Sequence, residues 1–214
     1  MNGKPEPVND THSENQEHGE PDYGEPNHGG PALVTPELDV RFRAAALREG
    51  IVDVTYDVVP SPLGDLFVAS TPRGLCRISY TVEGQDEVVA RIFGARVLRS
   101  PLDDVRRELD QYFAGERRDF DLPLDLRVAP FHEAVLHELA QVPYGRVDTY
   151  GHLAALVGRP KAARAVGTVM NRNPIPIVLP CHRIVGANGS LTGYAGGLDR
   201  KRALLQLEGA TLLA

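Results

Sequence analysis

Residues 173–185 have the sequence NPIPIVLPCHRIV, which constrains the fold more than any other stretch of the chain. The prolines at positions 174, 176 and 180 exclude a helix, and the aliphatic residues between them are too apolar for an exposed loop. We therefore predict that the segment crosses the interior of a domain. It would deliver Cys181 and His182, side by side, to that interior.

A cysteine next to a histidine is a candidate nucleophile and base. A thiol attacks as its thiolate, so its pKa of about 8.5 must be lowered by a base or a nearby positive charge. Adjacent side chains of an extended chain point to opposite faces, so Cys181 and His182 need a local turn or a bridging water to cooperate. A third group should orient the histidine, and the acids downstream are Asp199 and Glu208. A structural pair without chemistry is the alternative.

The segment upstream, residues 149–170, has the pattern of two short helices joined by a turn. The turn is Gly158-Arg159-Pro160, and we expect the proline to open the second helix, where its missing N–H does no harm. This spacing is typical of a helix-turn-helix. The second helix carries mostly small residues around a single arginine, Arg164. They either let the helix approach a DNA groove closely or let it pack tightly within the protein.

The first half of the chain has the alternating pattern of β-strands. Apolar and polar residues alternate in three segments, 52–58, 65–69 and 75–80, and the turn sequences SPLG and TPRG separate them. This pattern predicts three antiparallel strands in a meander. Apolar residues at helical spacing follow in 88–93 and 105–113, and a last strand is expected within 120–126. Cys76 lies among apolar residues of the third strand, where a cysteine is usually inert.

Length and composition exclude several classes of protein. The 214 residues, 42% of them hydrophobic, provide for one large or two modest domains. No run approaches the roughly 18 apolar residues of a membrane span, and the acidic N-terminus is unlike a secretory signal, so we expect a cytoplasmic protein without a membrane partner. The two cysteines exclude a disulfide scaffold and a cysteine-rich zinc site.

The net charge of −6 is distributed unevenly along the chain. Residues 1–30 contain seven acids and one lysine, whereas residues 131–214 contain nine basic and five acidic residues. Within 146–183, six basic residues accompany a single acid, Asp148. This is a modest electrostatic footprint for a phosphate backbone, with an ordinary solvated surface as the alternative.

Taken together, the motifs of the C-terminal half resemble a known family. The residues that carry the likeness are Arg164-Ala165-Val166-Gly167, Met170, Asn173-Pro174, Pro180-Cys181-His182-Arg183-Ile184-Val185, Gly189, Gly193-Tyr194-Ala195-Gly196-Gly197, Lys201, Leu204-Leu205 and Glu208-Gly209. This pattern closely resembles the methylated-DNA–protein-cysteine methyltransferases, also called O6-alkylguanine-DNA alkyltransferases. Weaker likeness extends through Tyr112-Phe113-Ala114-Gly115 to Ser61-Pro62-Leu63-Gly64.

The resemblance implies an α+β fold with two domains. The N-terminal domain would be a ribonuclease-H-like antiparallel sheet with helices, and the C-terminal domain mostly helical, with a winged-helix-like helix-turn-helix. The resemblance and the acidic, polar composition of the N-terminus together predict three regions. They are a disordered acidic tail over 1–48, an N-terminal domain over 49–127, and a DNA-binding and methyltransferase domain over 128–214.

The resemblance also implies a reaction: the single-use transfer of an alkyl group from O6-alkylguanine in DNA, with O4-methylthymine as a further candidate substrate, to Cys181. His182 would activate the thiol through a water and Glu208 would orient His182. Tyr150 would donate a proton toward guanine N3, and Asn173 would brace the turn that shapes the site.

The partner implied is double-stranded DNA, with the damaged base flipped out of the duplex. Arg164, flanked by Ala163 and Ala165, would enter the minor groove and fill the space that the base leaves. The resemblance further implies a base pocket, no cofactor or metal, and a monomer. The pocket residues would be the Ile184 carbonyl, the Ala195 N–H, Tyr194 and Met170.

Two other functions remain open on the sequence alone. A helix-turn-helix protein can bind DNA or lesions without transferring anything, and a Cys-His pair can belong to a hydrolase. The cysteine favours chemistry over binding, and a minor-groove helix has no use in a hydrolase.

Overall fold

Three consecutive β-strands form the meander predicted for the first half of the chain, in a computed structural model that describes residues 35–94 and 96–210. Strands β1 (Val54–Val59), β2 (Leu66–Thr71) and β3 (Gly74–Ser79) pair antiparallel in that order, as predicted. Five of the six residues of β2 are buried, because the strand lies between two neighbours and under helices.

A fourth strand, which the sequence analysis did not predict, pairs parallel and makes the sheet mixed. Strand β4 (Val97–Arg99) pairs parallel with β1, giving the order β3-β2-β1-β4. Helix α2 (Gln85–Phe93) connects β3 to β4, and such a crossover brings the next strand in parallel. The prediction of a strand within 120–126 is wrong, because this segment forms one isolated β-bridge, between Leu75 and Leu124.

Helix α1 (Pro36–Arg48) occupies the end of the segment predicted as a disordered tail over 1–48. The Thr35 hydroxyl accepts a hydrogen bond from the Leu38 N–H at 3.2 Å, and Pro36 takes the first helical position. The prediction of disorder is therefore wrong for 36–48, because Thr35 and Pro36 provide a helix start. The rest of that tail, residues 1–34, lies outside the described residues.

Within the described residues, five further α-helices follow: α3 (Asp103–Phe113), α4 (Pro130–Ala140), α5 (Tyr150–Leu156), α6 (Ala163–Asn171) and α7 (Leu198–Leu207). The predicted helix-turn-helix corresponds to α5 and α6. Its second helix begins at Ala163, however, and not at Pro160. The Ala162 N–H donates to the Arg159 carbonyl at 2.8 Å, so the residues around the proline close a separate turn first.

One hydrophobic core joins the two halves. It includes Leu66 of the sheet and Leu109 of α3 together with Leu136, Leu153 and Ile184 of the C-terminal half. The predicted α+β class, a sheet domain followed by a helical domain, is confirmed. Within the described residues, no helix is both long and apolar enough to cross a membrane.

Candidate transfer site around Cys181

Cys181 sits at the start of a 3-10 turn, Cys181–Arg183, which supplies the local turn that the sequence required. The turn continues into the short strand β6 (Ile184–Val185), which pairs parallel with β5 (Asp148–Thr149). Since α5 begins directly after β5, this pairing fixes the start of α5 relative to the cysteine segment.

The proline-rich segment before Cys181 crosses the interior, as predicted, and is strained. Ile177 is fully buried and has a φ of 78°, a conformation that β-branched residues rarely adopt. Asn173 braces this segment from both sides: its Nδ2 donates to the Leu179 carbonyl at 2.8 Å, and its Oδ1 accepts from the Ile175 N–H at 3.1 Å. The asparagine therefore maintains the turn that places the cysteine.

Cys181 is 4% exposed and lines a cavity of about 360 Å³. Burial raises the pKa of Cys181 to about 11, although hydrogen bonding by Asn173 and Tyr194 and the charge of Lys201 act in the opposite direction. At neutral pH the resting side chain is therefore a thiol, and the site needs a base to generate the thiolate.

His182 is completely buried and is oriented by Glu208. Its Nε2 lies 2.9 Å from Oε1 of Glu208. Burial lowers the pKa of His182, in spite of that carboxylate, so the ring is neutral at pH 7. With Nε2–H donating to the carboxylate, Nδ1 carries the free lone pair. Among the described residues, Nδ1 of His182 is the one buried side-chain polar atom without a hydrogen-bond partner.

Glu208 is itself held by several donors. Arg183 donates through Nε and Nη2, each at 2.9 Å, the Tyr112 hydroxyl donates at 2.7 Å, and the Gly145 N–H donates at 3.2 Å. Burial raises the pKa of Glu208, but the hydrogen bonds with His182 and Arg183 outweigh it and lower the pKa to about 2. The carboxylate is therefore fixed in position and in charge.

This pairing corrects one part of the charge analysis. Arg183, one of the six basic residues within 146–183, is buried, and its charge is matched by Glu208. The other five basic residues of the 146–183 segment are exposed: Arg146, Arg159, Lys161, Arg164 and Arg172.

Lys201 of α7 is a second buried cation, close to the thiol. Its Nζ donates to the carbonyls of Ile184 and Thr192, the latter at 3.0 Å. Burial lowers the pKa of Lys201 to about 8, while the nearby Cys181 raises it. The positive charge of Lys201 lies near Cys181 and therefore favours the thiolate once it forms.

An open groove of about 550 Å³ lies along the outer face of α6. It is lined by Tyr150, Ala163, the exposed Arg164 and Gly167. The buried face of α6 consists instead of Val166, Val169 and Met170. The small residues Ala163, Ala165 and Gly167 therefore face outward or partly outward, as a helix that approaches a groove requires, and internal packing does not account for them.

Comparison with known proteins agrees with this arrangement. Residues 130–210 match the family described as 6-O-methylguanine DNA methyltransferase, DNA binding domain, and residues 54–126 match its ribonuclease-like domain. The methylated-DNA–protein-cysteine methyltransferase of Methanosarcina acetivorans is 41% identical over 158 residues, covering 72% of this chain and 98% of that protein. The chain belongs to the methylated-DNA–protein-cysteine methyltransferase family.

Other members of the methyltransferase family are similarly close. The constitutive enzyme of Bacillus subtilis is 38% identical over 70% of this chain and 92% of its own length. The crystal structure of Mycobacterium tuberculosis OGT in complex with DNA has a TM-score of 0.66 at 39% identity, covering 72% of this chain and 92% of that one. The family predicted from the sequence, and its ribonuclease-like domain, are thus confirmed.

In this family member, the structure groups most of the predicted site residues. Met170, Asn173, Cys181, Tyr194 and Ala195 line the cavity. His182 follows Cys181 in the turn and contacts Glu208, whereas Tyr150, Ala163 and Arg164 line the groove instead. Ala165 is exposed beside them on α6. Ile184 does not line the cavity, and its carbonyl accepts a hydrogen bond from the Lys201 ammonium.

Four residues of the site were missed by the sequence analysis: Tyr80, Tyr112, Arg183 and Lys201. Arg183 and Lys201 lie within the quoted motifs, but sequence gives no sign that a basic residue is buried. Tyr80 and Tyr112 come from the N-terminal domain, and nothing local in the sequence links them to Cys181. A contact across about one hundred residues is visible only in the folded chain.

Proposed function

We propose that this chain repairs duplex DNA by transferring the alkyl group of O6-alkylguanine to its own Cys181, once per molecule. The observation that carries the proposal is the adjacency of the groove and the cavity along α6. Asn171 lines both of them, Arg164 lies in the groove, and Cys181 lies in the cavity. A base that leaves the duplex at the groove therefore has a short path to the thiol.

The DNA approaches the outer face of α6. Small side chains at Ala163 and Ala165 allow the helix backbone close to the minor groove, and Arg164 projects from between them. O6 of a stacked guanine cannot be reached by a thiolate, so the damaged nucleotide rotates out of the helix. Arg164 occupies the space that it leaves. The exposed basic residues around α6 contact phosphates and set the orientation without reading sequence.

The transfer proceeds in line. The thiol proton of Cys181 passes through one water to Nδ1 of His182, whose lone pair is free because Nε2 faces Glu208. The sulfur then attacks the alkyl carbon, and the carbon–sulfur bond forms as the bond from that carbon to O6 breaks. The departing guanine anion takes a proton at N3 from the Tyr150 hydroxyl, which is later replaced from solvent.

The product is a thioether at Cys181. Its carbon–sulfur bond is not opened by the acid and base groups of the site, so each molecule acts once. The predicted cytoplasmic location, monomeric state and independence of a cofactor stay predictions. Among the described residues, no cluster of three metal-ligating side chains accompanies the site.

The test is an intact-mass measurement after incubation with a duplex containing one O6-methylguanine. We expect the protein to gain one methyl group, to stop at one per molecule however much duplex is supplied, and to gain none from an undamaged duplex of the same sequence. Binding without any mass gain would instead indicate a lesion-recognition module. Continued turnover of substrate would indicate a hydrolase.

A further inference from the structure

Tyr80 is contributed by the N-terminal domain, yet it lines the same cavity as Cys181. It follows the last residue of β3, and its hydroxyl oxygen lies 2.7 Å from the hydroxyl oxygen of Tyr194. The two rings, 6.1 Å apart between centroids, form a pair at the wall of the cavity. Tyr194 is a predicted pocket residue, whereas Tyr80 belongs to no motif in the sequence.

The pair is held rigidly by its neighbours. A methyl group at Gly196 would lie 2.6 Å from Cε2 of Tyr80 and 2.7 Å from Cε1 of Tyr194, so the two rings close over a glycine. The Arg200 guanidinium lies 4.9 Å from the centroid of the Tyr80 ring. Arg200 is in turn fixed by the carbonyls of Leu63 and Gly196, each at 3.0 Å. The Tyr80 hydroxyl therefore has a defined position.

The direction of the hydrogen bond between Tyr80 and Tyr194 depends on how many protons each hydroxyl can donate. A hydroxyl has one proton to donate, and a thiolate can only accept. Tyr194 lines the cavity together with Cys181, and its hydroxyl acts to lower the pKa of the thiol. Once the thiolate forms, the Tyr194 proton can be directed to the sulfur only when the Tyr194 oxygen accepts from Tyr80 across their 2.7 Å contact, because each hydroxyl has one proton to donate. Burial raises the pKa of Tyr80, which keeps that donor protonated.

We propose that Tyr80 is a positioning residue of the transfer site: its hydroxyl donates to Tyr194, and so directs the Tyr194 proton to the sulfur of Cys181. The inference rests on the proposed function only in that Cys181 must act as a thiolate. It gives the N-terminal domain a part in the chemistry, through a contact between residues 114 positions apart.

Other groups also act on the Cys181 thiol, and the experiment has to distinguish their effects from the effect of Tyr80. Lys201 of α7 acts through its charge, and Asn173 through a hydrogen bond. His182 follows it in the turn, and Arg77 and Arg172 line the same cavity. The Tyr80 hydroxyl hydrogen-bonds to Tyr194 and to none of these residues, so substituting phenylalanine for Tyr80 leaves their hydrogen bonds unchanged.

The experiment measures the rate of Cys181 alkylation by iodoacetamide against pH, without DNA, in a Cys76→Ala background. We expect Tyr80→Phe to raise the apparent pKa of Cys181 and to reduce the thiolate fraction at pH 8 about three- to tenfold, as losing one hydrogen bond in a relay to an anion would. Tyr194→Phe should have at least the same effect. The double variant should match Tyr194→Phe alone, because Tyr80 acts through Tyr194.

Tyr56→Phe is the matched control, since Tyr56 stacks on Phe67 outside the cavity and its substitution should leave the titration unchanged. A Tyr80→Phe titration identical to that of the parent overturns the proposal, and so do effects of Tyr80→Phe and Tyr194→Phe that simply add. A merely structural role for Tyr80 would lower stability without moving the titration.

Methyl transfer from an O6-methylguanine duplex, measured in the same variants, separates this inference from the proposed function. The transfer rate of Tyr80→Phe should fall at pH 7 and recover as the pH is raised. A shifted alkylation titration in a protein that accepts no methyl group would support the Tyr80 contact and refute the proposed function. Methyl transfer together with an unshifted alkylation titration would support the proposed function and refute the role of Tyr80.

Discussion

Replacing Glu208 by glutamine tests the buried network on which His182 depends. The carboxylate accepts hydrogen bonds from His182, Arg183 and Tyr112, and its side chain is fully buried. Glutamine keeps the shape, but it carries an N–H₂ group where an oxygen accepted. At least one donor then loses its acceptor, and the buried charge of Arg183 loses its counter-charge.

The magnitude follows from the pKa of Glu208, which is lowered from an ordinary 4.5 to about 2. That difference corresponds to about 3 kcal/mol of stability at neutral pH. Removing one partner of a buried ion pair costs a similar amount, about 3 to 5 kcal/mol. We therefore expect Glu208→Gln to lower the free energy of unfolding by about 3 kcal/mol at pH 7. Because the folded-state pKa is depressed, this contribution is complete above about pH 5 and is lost as the pH falls toward 2.

The assay is urea unfolding, followed by circular dichroism at pH 7 and pH 3. The difference between the parent and Glu208→Gln should shrink from about 3 kcal/mol at pH 7 to about 1 kcal/mol at pH 3. Glu108→Gln is the control, because Glu108 is also buried but binds the Asp121 N–H and Arg117, away from the cavity. Only Glu208→Gln should slow methyl transfer. A difference that is the same at both pH values, or equal losses of transfer in the two variants, would refute the reasoning.

The other predictions concern DNA and the second cysteine. Arg164→Ala should slow transfer from a duplex far more than transfer from free O6-methylguanine base, since the arginine fills the space of the flipped base; equal losses in the two single-turnover assays would exclude that role. Affinity for undamaged duplex should fall with salt at a log–log slope of about −3 to −5, as expected for about three to five phosphate contacts, and a slope near zero in a binding titration would contradict it. Cys76→Ala should leave the transfer rate unchanged, because burial raises the pKa of Cys76 to about 12, and a slower single-turnover rate would mean that this cysteine matters.

Much of the fold could be predicted because its signals are local. Alternation and turn residues located β1 to β3, and a Gly-Arg-Pro turn located the pair of α5 and α6. The predictions were wrong for elements whose formation depends on tertiary contacts. Strand β4 is three residues long and depends on pairing with β1. The 120–126 segment alternates like a strand but forms one bridge only, and the start of α6 is set by the turn before it.

The site could be predicted as far as its motifs extend along the chain. Cys181, His182 and Glu208 follow from the motifs, and the turn at Cys181 follows from the need to bring neighbouring side chains into cooperation. The burial of the charged residues Arg183 and Lys201 cannot be predicted from the motifs. Arg183 counts as a surface residue until the position of Glu208 is known, and Lys201 donates to backbone carbonyls, which no sequence motif indicates. Tyr80 and Tyr112 reach the site only through the packing of one domain on the other.

Locating the transferred methyl group tests the central claim most directly. The protein is incubated with a duplex containing one O6-methylguanine and digested, and the modified peptide is identified by mass spectrometry. We predict one methyl group, on the sulfur of Cys181, no methylation in the Cys181→Ala variant, and lesion binding retained in that variant because α6 and Arg164 are untouched. A methyl group on Cys76 or any other residue, or methylation that persists in Cys181→Ala, would contradict the account.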